Sequence, residues 1–293
     1  MSVLVAQQQA SQYTGPQSPV QAKHLQKPPA LSKTTVNGTE YLFDAQKALK
    51  SGADGDVYIA KRSPESKHGP ATLIIKKAKM GGVAEQANEV SILSAAGQSG
   101  GIISSYGRDS DENLLFLEKG DGALNDSELV QSKSVASRLG MAKNVGLGIS
   151  HLHSKNITHQ DINTKNMIVF GSSAKLTDFG NSISFGEKPS VVKLDGEAQM
   201  LMQAVPEMRA DIIRGATITK ASAVKGDIQD YVKATYNIIA GKTDDLVIPS
   251  NFVEELAPHK ATLGQKYDNL VALFTQARQG TYPGSIDAIR ALL

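Results

Sequence analysis

The chain has no cysteine, which excludes disulfides, thiolate zinc sites, a cysteine nucleophile and redox control through thiols. Aromatic residues make up only 5% of its 293 residues, so the core has to come mainly from aliphatic side chains. No apolar run approaches the roughly 18 residues that cross a bilayer, and the start lacks the basic region and long apolar stretch of a secretory signal. A soluble protein is expected, and the missing cysteines fit a cytoplasmic setting. Neither sign of charge dominates: 31 Lys and Arg stand against 29 Asp and Glu, a net charge of +2. That balance supplies neither a basic face for nucleic acid nor a polybasic membrane anchor. Acidic residues are missing from the start of the chain, where Gln7-Gln8-Gln9, Gly15-Pro16 and Pro28-Pro29 set the composition. Such a segment buries too little apolar surface to offset the entropy of ordering, so residues 1–37 are expected to be a disordered tail.

What is present is a cluster of chemistry-bearing residues in the middle of the chain. His159-Gln160-Asp161-Ile162-Asn163-Thr164-Lys165-Asn166 is followed by Asp178-Phe179-Gly180. Phosphoryl transfer needs a carboxylate to orient the attacking hydroxyl and oxygen ligands to hold magnesium against the phosphates. H-x-D-x-x-x-x-N with a D-F-G downstream resembles the catalytic and metal-binding loops of eukaryotic-type protein kinases. The resemblance implies Asp161 as the catalytic carboxylate, Asn166 and Asp178 as magnesium ligands, and His159 as a structural brace. It implies an α+β, two-lobed protein kinase-like fold over residues 38–293, with a small β-rich N-lobe to about 119 and a larger helical C-lobe from about 120.

Other segments extend the resemblance. Lys50-Ser51-Gly52-Ala53-Asp54-Gly55-Asp56-Val57 is similar to a glycine-rich nucleotide loop, in which Gly52 and Gly55 let backbone approach the phosphates and Val57 covers the base. The β-branched run Ala71 to Lys77 resembles the strand that ends in the ATP-contacting lysine. Strand alternation puts Lys76 and Lys77 on opposite faces, and Lys76 is the choice. Glu85 to Ala95 has helical spacing through Ala87, Val90 and Leu93, and Asn88 to Leu93 is similar to the family's C-helix, a resemblance that implies Glu89 as the ion-pair partner of Lys76, with Glu85 one turn earlier competing. Leu114 to Glu118 reads as a buried strand, and the main chain of Glu118 to Gly120 is implied to meet the adenine edge. Val135, Leu139, Ala142, Val145, Ile149 and Leu152 form one face of a long amphipathic helix. Val205-Pro206-Glu207 is similar to the family's A-P-E motif, Arg278 to the arginine that pairs with it, and Asp227 to the aspartate that braces the catalytic loop.

Four departures stand out. Lys50 replaces a glycine, and Asp54 brings a carboxylate to the loop tip. Gln160 stands where many protein kinases carry an arginine that pairs with an activation-loop phosphate, and glutamine cannot make that charge-assisted contact. Asn163 stands where serine/threonine kinases carry a lysine that steadies the transferred phosphate, with Lys165 nearby in sequence. Ser182, Ser184 and Ser190 are the serines available in the activation segment. The activity implied is transfer of the ATP γ-phosphate, with Mg2+, to a serine or threonine of a protein, without need of loop phosphorylation. The polar leader resembles those of bacterial type III secreted effectors, which implies a host protein as substrate and a secretion chaperone on the tail. A catalytically impaired pseudokinase and a kinase-fold enzyme that transfers another group are the alternatives.

Overall fold

The computed structural model describes residues 31–52, 54–185, 191–192, 218–243 and 247–293. These belong to one compact unit, Leu31–Leu293. Its first part is a curled antiparallel sheet: β1 (Ser32–Val36), β2 (Thr39–Phe43), β3 (Lys50–Ser51), β4 (Gly55–Arg62), β5 (Thr72–Ala78), β6 (Ser105–Asp109) and β7 (Leu114–Glu118), ordered β1-β2-β4-β5-β7-β6 with β3 hairpinned onto β4. The strand β1 falls inside the expected 1–37 tail. Its residues Thr34 and Val36 are buried against β2, so the ordered unit starts earlier than composition suggested. Residues 1–30 lie outside the described residues.

Alternation of side chains along a strand explains why β7 is apolar throughout. Leu114 and Phe116 join Tyr41, Phe43, Tyr58, Leu73 and Ile75 in the outer core of the sheet. Leu115 and Leu117 point the other way, into the large core shared with Ile92, Leu93 and the helices. Helix α1 (Val83–Ala96) packs on that second side.

The C-terminal part is built on two long helices, α3 (Val135–Ser154) and α4 (Lys220–Ala240), which pack on each other. The short α2 (Ser127–Gln131) precedes α3. Ser134 caps α3 by accepting from Ser137 N, and all six expected apolar positions on its face are buried. Two glycines in α3 let neighbours in: a Cβ on Gly148 would fall 2.2 Å from Gly101 O, and one on Gly146 2.3 Å from the Tyr231 hydroxyl. Helix α4 begins with a Thr219–Ser222 capping box and ends at Gly241 in the left-handed region, as helix-stop chemistry requires. Helices α5 (Phe252–Leu256), α6 (Lys260–Leu263), α7 (Gln265–Arg278) and α8 (Ile286–Leu292) complete the core.

The short strand β8 (Gly122–Ala123) precedes α2 and pairs with β10 (Met167–Phe170), while β9 (Ile157–Thr158), β10, β11 (Ser173–Leu176) and β12 (Ile183–Ser184) follow α3 in the chain. Antiparallel pairing of β10 with β11 fixes the loops on either side, residues 159–166 and 177–182, next to one another. Among the described residues no helix is long and apolar enough to cross a membrane.

Candidate active site

The segment before β10 is held from below by a buried carboxylate. Asp227 of α4, 1% exposed, accepts from His159 N and Gln160 N, both at 2.9 Å, from Gln160 Nε2 at 3.2 Å, and pairs with His153 Nε2 at 2.8 Å. A buried charge is tolerable when it is this fully hydrogen-bonded. Gln160 takes a left-handed φ of 67°, uncommon for a residue with a side chain, and the bonds to Asp227 hold it there. Its amide also donates to Ala223 O at 3.1 Å. The side chain at the expected arginine position is therefore turned into α4.

His159 is fully buried, packs tilted against Phe179 with ring centroids 4.9 Å apart, and contacts Thr177 O through Nε2 at 3.1 Å and Asp161 N through Nδ1 at 3.3 Å. A carbonyl only accepts and a backbone N–H only donates, so the ring is the Nε2–H tautomer. It braces the two loops against each other.

Asp161 is clamped by two amides. Asn163 Nδ2 donates to its Oδ1 at 2.7 Å and to its carbonyl at 3.1 Å. Asn166 Nδ2 donates to its Oδ2 at 2.7 Å and to its carbonyl at 3.0 Å. With its nitrogen used this way, Asn166 has its amide oxygen left as an acceptor for a cation. Asn163 spends its donors on Asp161 and brings no positive charge to the site.

Across the cleft, register pairs Val57 with Lys76 on adjacent strands. Lys76 Nζ lies 2.7 Å from Glu89 Oε2 and 2.8 Å from Asp178 Oδ1. Burial by itself would lower the Lys76 pKa, but Glu89 and then Asp178 outweigh it and hold the ammonium above its usual range. Burial likewise works to raise Asp178, and the Lys76 charge and hydrogen bond reverse this, leaving its carboxyl below the ordinary range. Glu89 is fully buried and Asp178 is half-exposed. The competition between the two glutamates goes to Glu89. Glu85 instead faces Asp54, and burial, then the charges of Asp54 and Asp178, push its carboxyl up.

One cavity of about 320 Å³ joins these groups. It is lined by Gly52, Gly55 and Val57 from the glycine-rich hairpin, by Lys76, and by Asp161, Asn166 and Asp178. Lys50, Lys165, Asp54 and Glu85 also border it. The residues expected at the phosphate end of the site are therefore together. Glu118 and Gly120 are not among the lining residues. Glu118 Oε1 accepts from Ser104 N and pairs with Lys175, both at 2.6 Å. Gly120 is pressed on β10, where a Cβ would stand 2.4 Å from Ile168 Cγ2. Ser182, read as an available serine, is 5% exposed and donates to His159 O at 3.2 Å. Ser190 and the Val205-Pro206-Glu207 motif lie outside the described residues, and Arg278 donates to Ile248 O at 3.0 Å.

Sequence reasoning passed over Asn88. From the middle of α1 its Nδ2 donates to Gly180 O at 2.8 Å and Ser182 O at 2.9 Å, with Phe179 O at 3.4 Å. Together with Glu89 Oε1 accepting from Phe179 N at 3.4 Å, it fastens the turn after Asp178 to the helix. The available signal was an asparagine inside a helix, where its propensity is poor.

These elements agree with what comparison with known proteins gives. A model of the protein kinase domain matches residues 43–202. The chain is similar to mitogen-activated protein kinase kinase kinase 20 of Arabidopsis thaliana, 29% identical over 168 residues, 53% of this chain and 46% of that protein. It is also similar to the serine/threonine-protein kinase Nek5 of Homo sapiens, 29% identical over 150 residues, 47% of this chain and 21% of that protein. It thus spans less than half the length of either relative. With a family match over more than half its residues and the two-lobed architecture described above, the chain belongs to the protein kinase domain family.

Proposed function

We propose that the chain is an active protein kinase that moves the γ-phosphate of ATP to a serine or threonine hydroxyl of a protein. The observation that carries this is the ion-paired set Lys76, Glu89 and Asp178 facing the amide-clamped Asp161 across one cavity. A module kept only for binding has no need of it. In this reading Asp161 orients the acceptor hydroxyl, and Glu89 holds Lys76 where it meets the nucleotide phosphates. Gly52 and Gly55 bring backbone close to them, and Val57 covers the base. The main chain of Glu118 and Gly120 meets the adenine edge. Asn166 and Asp178 would hold magnesium, which would supply charge neutralisation at the phosphates. The acceptor class rests on the likeness to Nek5.

The inward turn of Gln160 and the burial of Ser182 support activity without loop phosphorylation. The composition of residues 1–30 supports the narrower reading of an exported kinase acting on a host protein, with a chaperone on the tail. Asn163, which supplies no cation, and the carboxylates of Asp54 and Glu85 in the cavity favour a second reading, an impaired kinase that binds nucleotide or a partner.

The test is purified protein with γ-labelled ATP, magnesium and a lysate, beside Asp161→Ala. Label on protein from wild type, reduced by about 10²-fold or more in the variant with ATP binding kept, is the expected result. ATP binding with no label moved would overturn the kinase reading in favour of the impaired module, and label from α-labelled ATP would establish nucleotide transfer instead.

A further inference from the structure

We propose that Lys79 is a positioning residue of this transfer: its ammonium fastens the glycine-rich hairpin to the segment leading into α1, so that the phosphate-facing backbone and Glu89 are held as one piece. The inference rests on the kinase reading above, though the contacts that carry it do not.

Only one strand of the hairpin belongs to the main sheet: β4 pairs with β5 from Gly55 to Lys61, whereas β3 pairs with β4 alone. Strand β3 is two exposed residues long, and the register Gly55 to Ala78 places Gly52 and Asp54 beyond the end of β5. The chain leaving β5 runs directly beneath them. There Lys79 N donates to Asp54 O at 2.9 Å, and Lys79 Nζ meets three oxygens: Ser51 Oγ at 3.0 Å, Gly52 O at 2.8 Å and Asp56 Oδ1 at 2.9 Å. Three acceptors saturate an ammonium. Ser51 Oγ donates in turn to Asp56 Oδ1 at 2.5 Å, so both strands of the hairpin converge on one cation.

The approach is so close that two glycines are required. A Cβ on Gly82 would fall 1.9 Å from Asp54 O, and one on Gly55 2.5 Å from Lys77 O. Gly82 immediately precedes α1, whose Glu89 fixes Lys76. Movement of the hairpin tip is thereby coupled to the helix that completes the site.

Lys79 is 42% exposed, so water competes for its contacts and the effect is a moderate one. Lys79→Met keeps the stem and removes the donors; Lys79→Arg restores a donor group. For Lys79→Met the expected KM for ATP rises about two- to fivefold, as for loss of a partly exposed ionic contact, while kcat changes less than twofold. Lys79→Arg recovers most of the difference. In the protein without nucleotide, hydrogen exchange in the peptide covering 50–57 speeds up severalfold in Lys79→Met, with α3 unchanged. Exchange unchanged from wild type overturns the proposal, whether KM is unaltered or rises, since a rise alone would mean that Lys79 touches nucleotide directly. If wild type transfers no phosphate at all, the kinase reading fails and the exchange measurement alone decides the fate of the latch.

Discussion

Lys76→Met is the sharpest perturbation of the site because it separates the two partners of Lys76 by their burial. Glu89 is fully buried and has two described donors, Lys76 Nζ at 2.7 Å and Phe179 N at 3.4 Å. Asp178 is 47% exposed and can turn to water. Methionine fills most of the lysine stem's volume, so the loss is electrostatic rather than a cavity. Removing one member of a buried pair leaves an uncompensated charge, which costs about 3–5 kcal/mol, and nearly all of that falls on Glu89. At a urea slope of about 3 kcal/mol/M the midpoint should drop by roughly 1–1.7 M. The double variant Lys76→Met/Glu89→Gln removes the orphaned charge and should recover more than half the loss, although neither variant transfers phosphate. Urea unfolding of the three proteins is the assay. A single variant within about 0.5 kcal/mol of wild type, or a double variant no more stable than the single one, would refute the claim that Glu89 is a buried charge balanced by Lys76.

Two further outcomes follow from other groups. Burial pushes the Asp230 carboxyl up to about 7, and Asp227 and Asp161 add to this against the opposing Lys233 ammonium 3.2 Å away. A carboxyl raised on folding gives stability that is complete below its unfolded value near 3.8 and is lost as pH rises through about 7. Asp230→Asn should therefore gain on wild type between those limits, by at most on the order of 4 kcal/mol; parallel stability curves from pH 4 to 8 would contradict the shift. Ser184, exposed on β12, is a described serine that a kinase could reach, and the Gln160 amide has no charge to offer a phosphate. Ser184→Ala combined with Ser190→Ala should keep phosphate transfer within about twofold, whereas a loss of tenfold or more would show that a charge-assisted contact had been missed.

The parts of this protein that could be read from sequence are those in which function is local along the chain. His159, Asp161, Asn166 and Asp178 sit on two loops joined by the β10–β11 hairpin, so their spacing in sequence already fixes their spacing in space. The apolar face of α3 was equally legible, because helical periodicity is set by the backbone. Strand β1 was not, since Ser32-Lys33-Thr34-Thr35-Val36 has one strongly apolar residue and follows a Pro-rich leader. Periodicity alone did not separate Glu85 from Glu89, one turn apart on α1; likeness to the family's C-helix favoured Glu89, and it is Glu89 that pairs with Lys76 at 2.7 Å. Lys79, Asn88 and the Lys175–Glu118 pair act on main chain or side chains far away in sequence, and no local pattern marks them.

The departures that looked like losses in sequence become one arrangement in the structure. Gln160 and Asn163 both replace cations with amides, and both amides find a carboxylate: Asp227 for Gln160 at 3.2 Å, Asp161 for Asn163 at 2.7 Å. An arginine at 160 would present a larger, charged group to a pocket whose acceptors are Asp227 and Ala223 O, and Asp227 already receives His153, His159 N and Gln160 N. The amide at 160 thus trades a contact with a mobile phosphate for a fixed bond inside the C-lobe, and the amide at 163 trades charge near the phosphate for a second clamp on Asp161. Both exchanges favour a catalytic loop ordered from within. On the proposed kinase reading such a loop would gain orientation of the acceptor hydroxyl at the expense of electrostatic stabilisation of the transferring group, and a change at either amide should therefore disturb the position of Asp161 before it disturbs nucleotide binding.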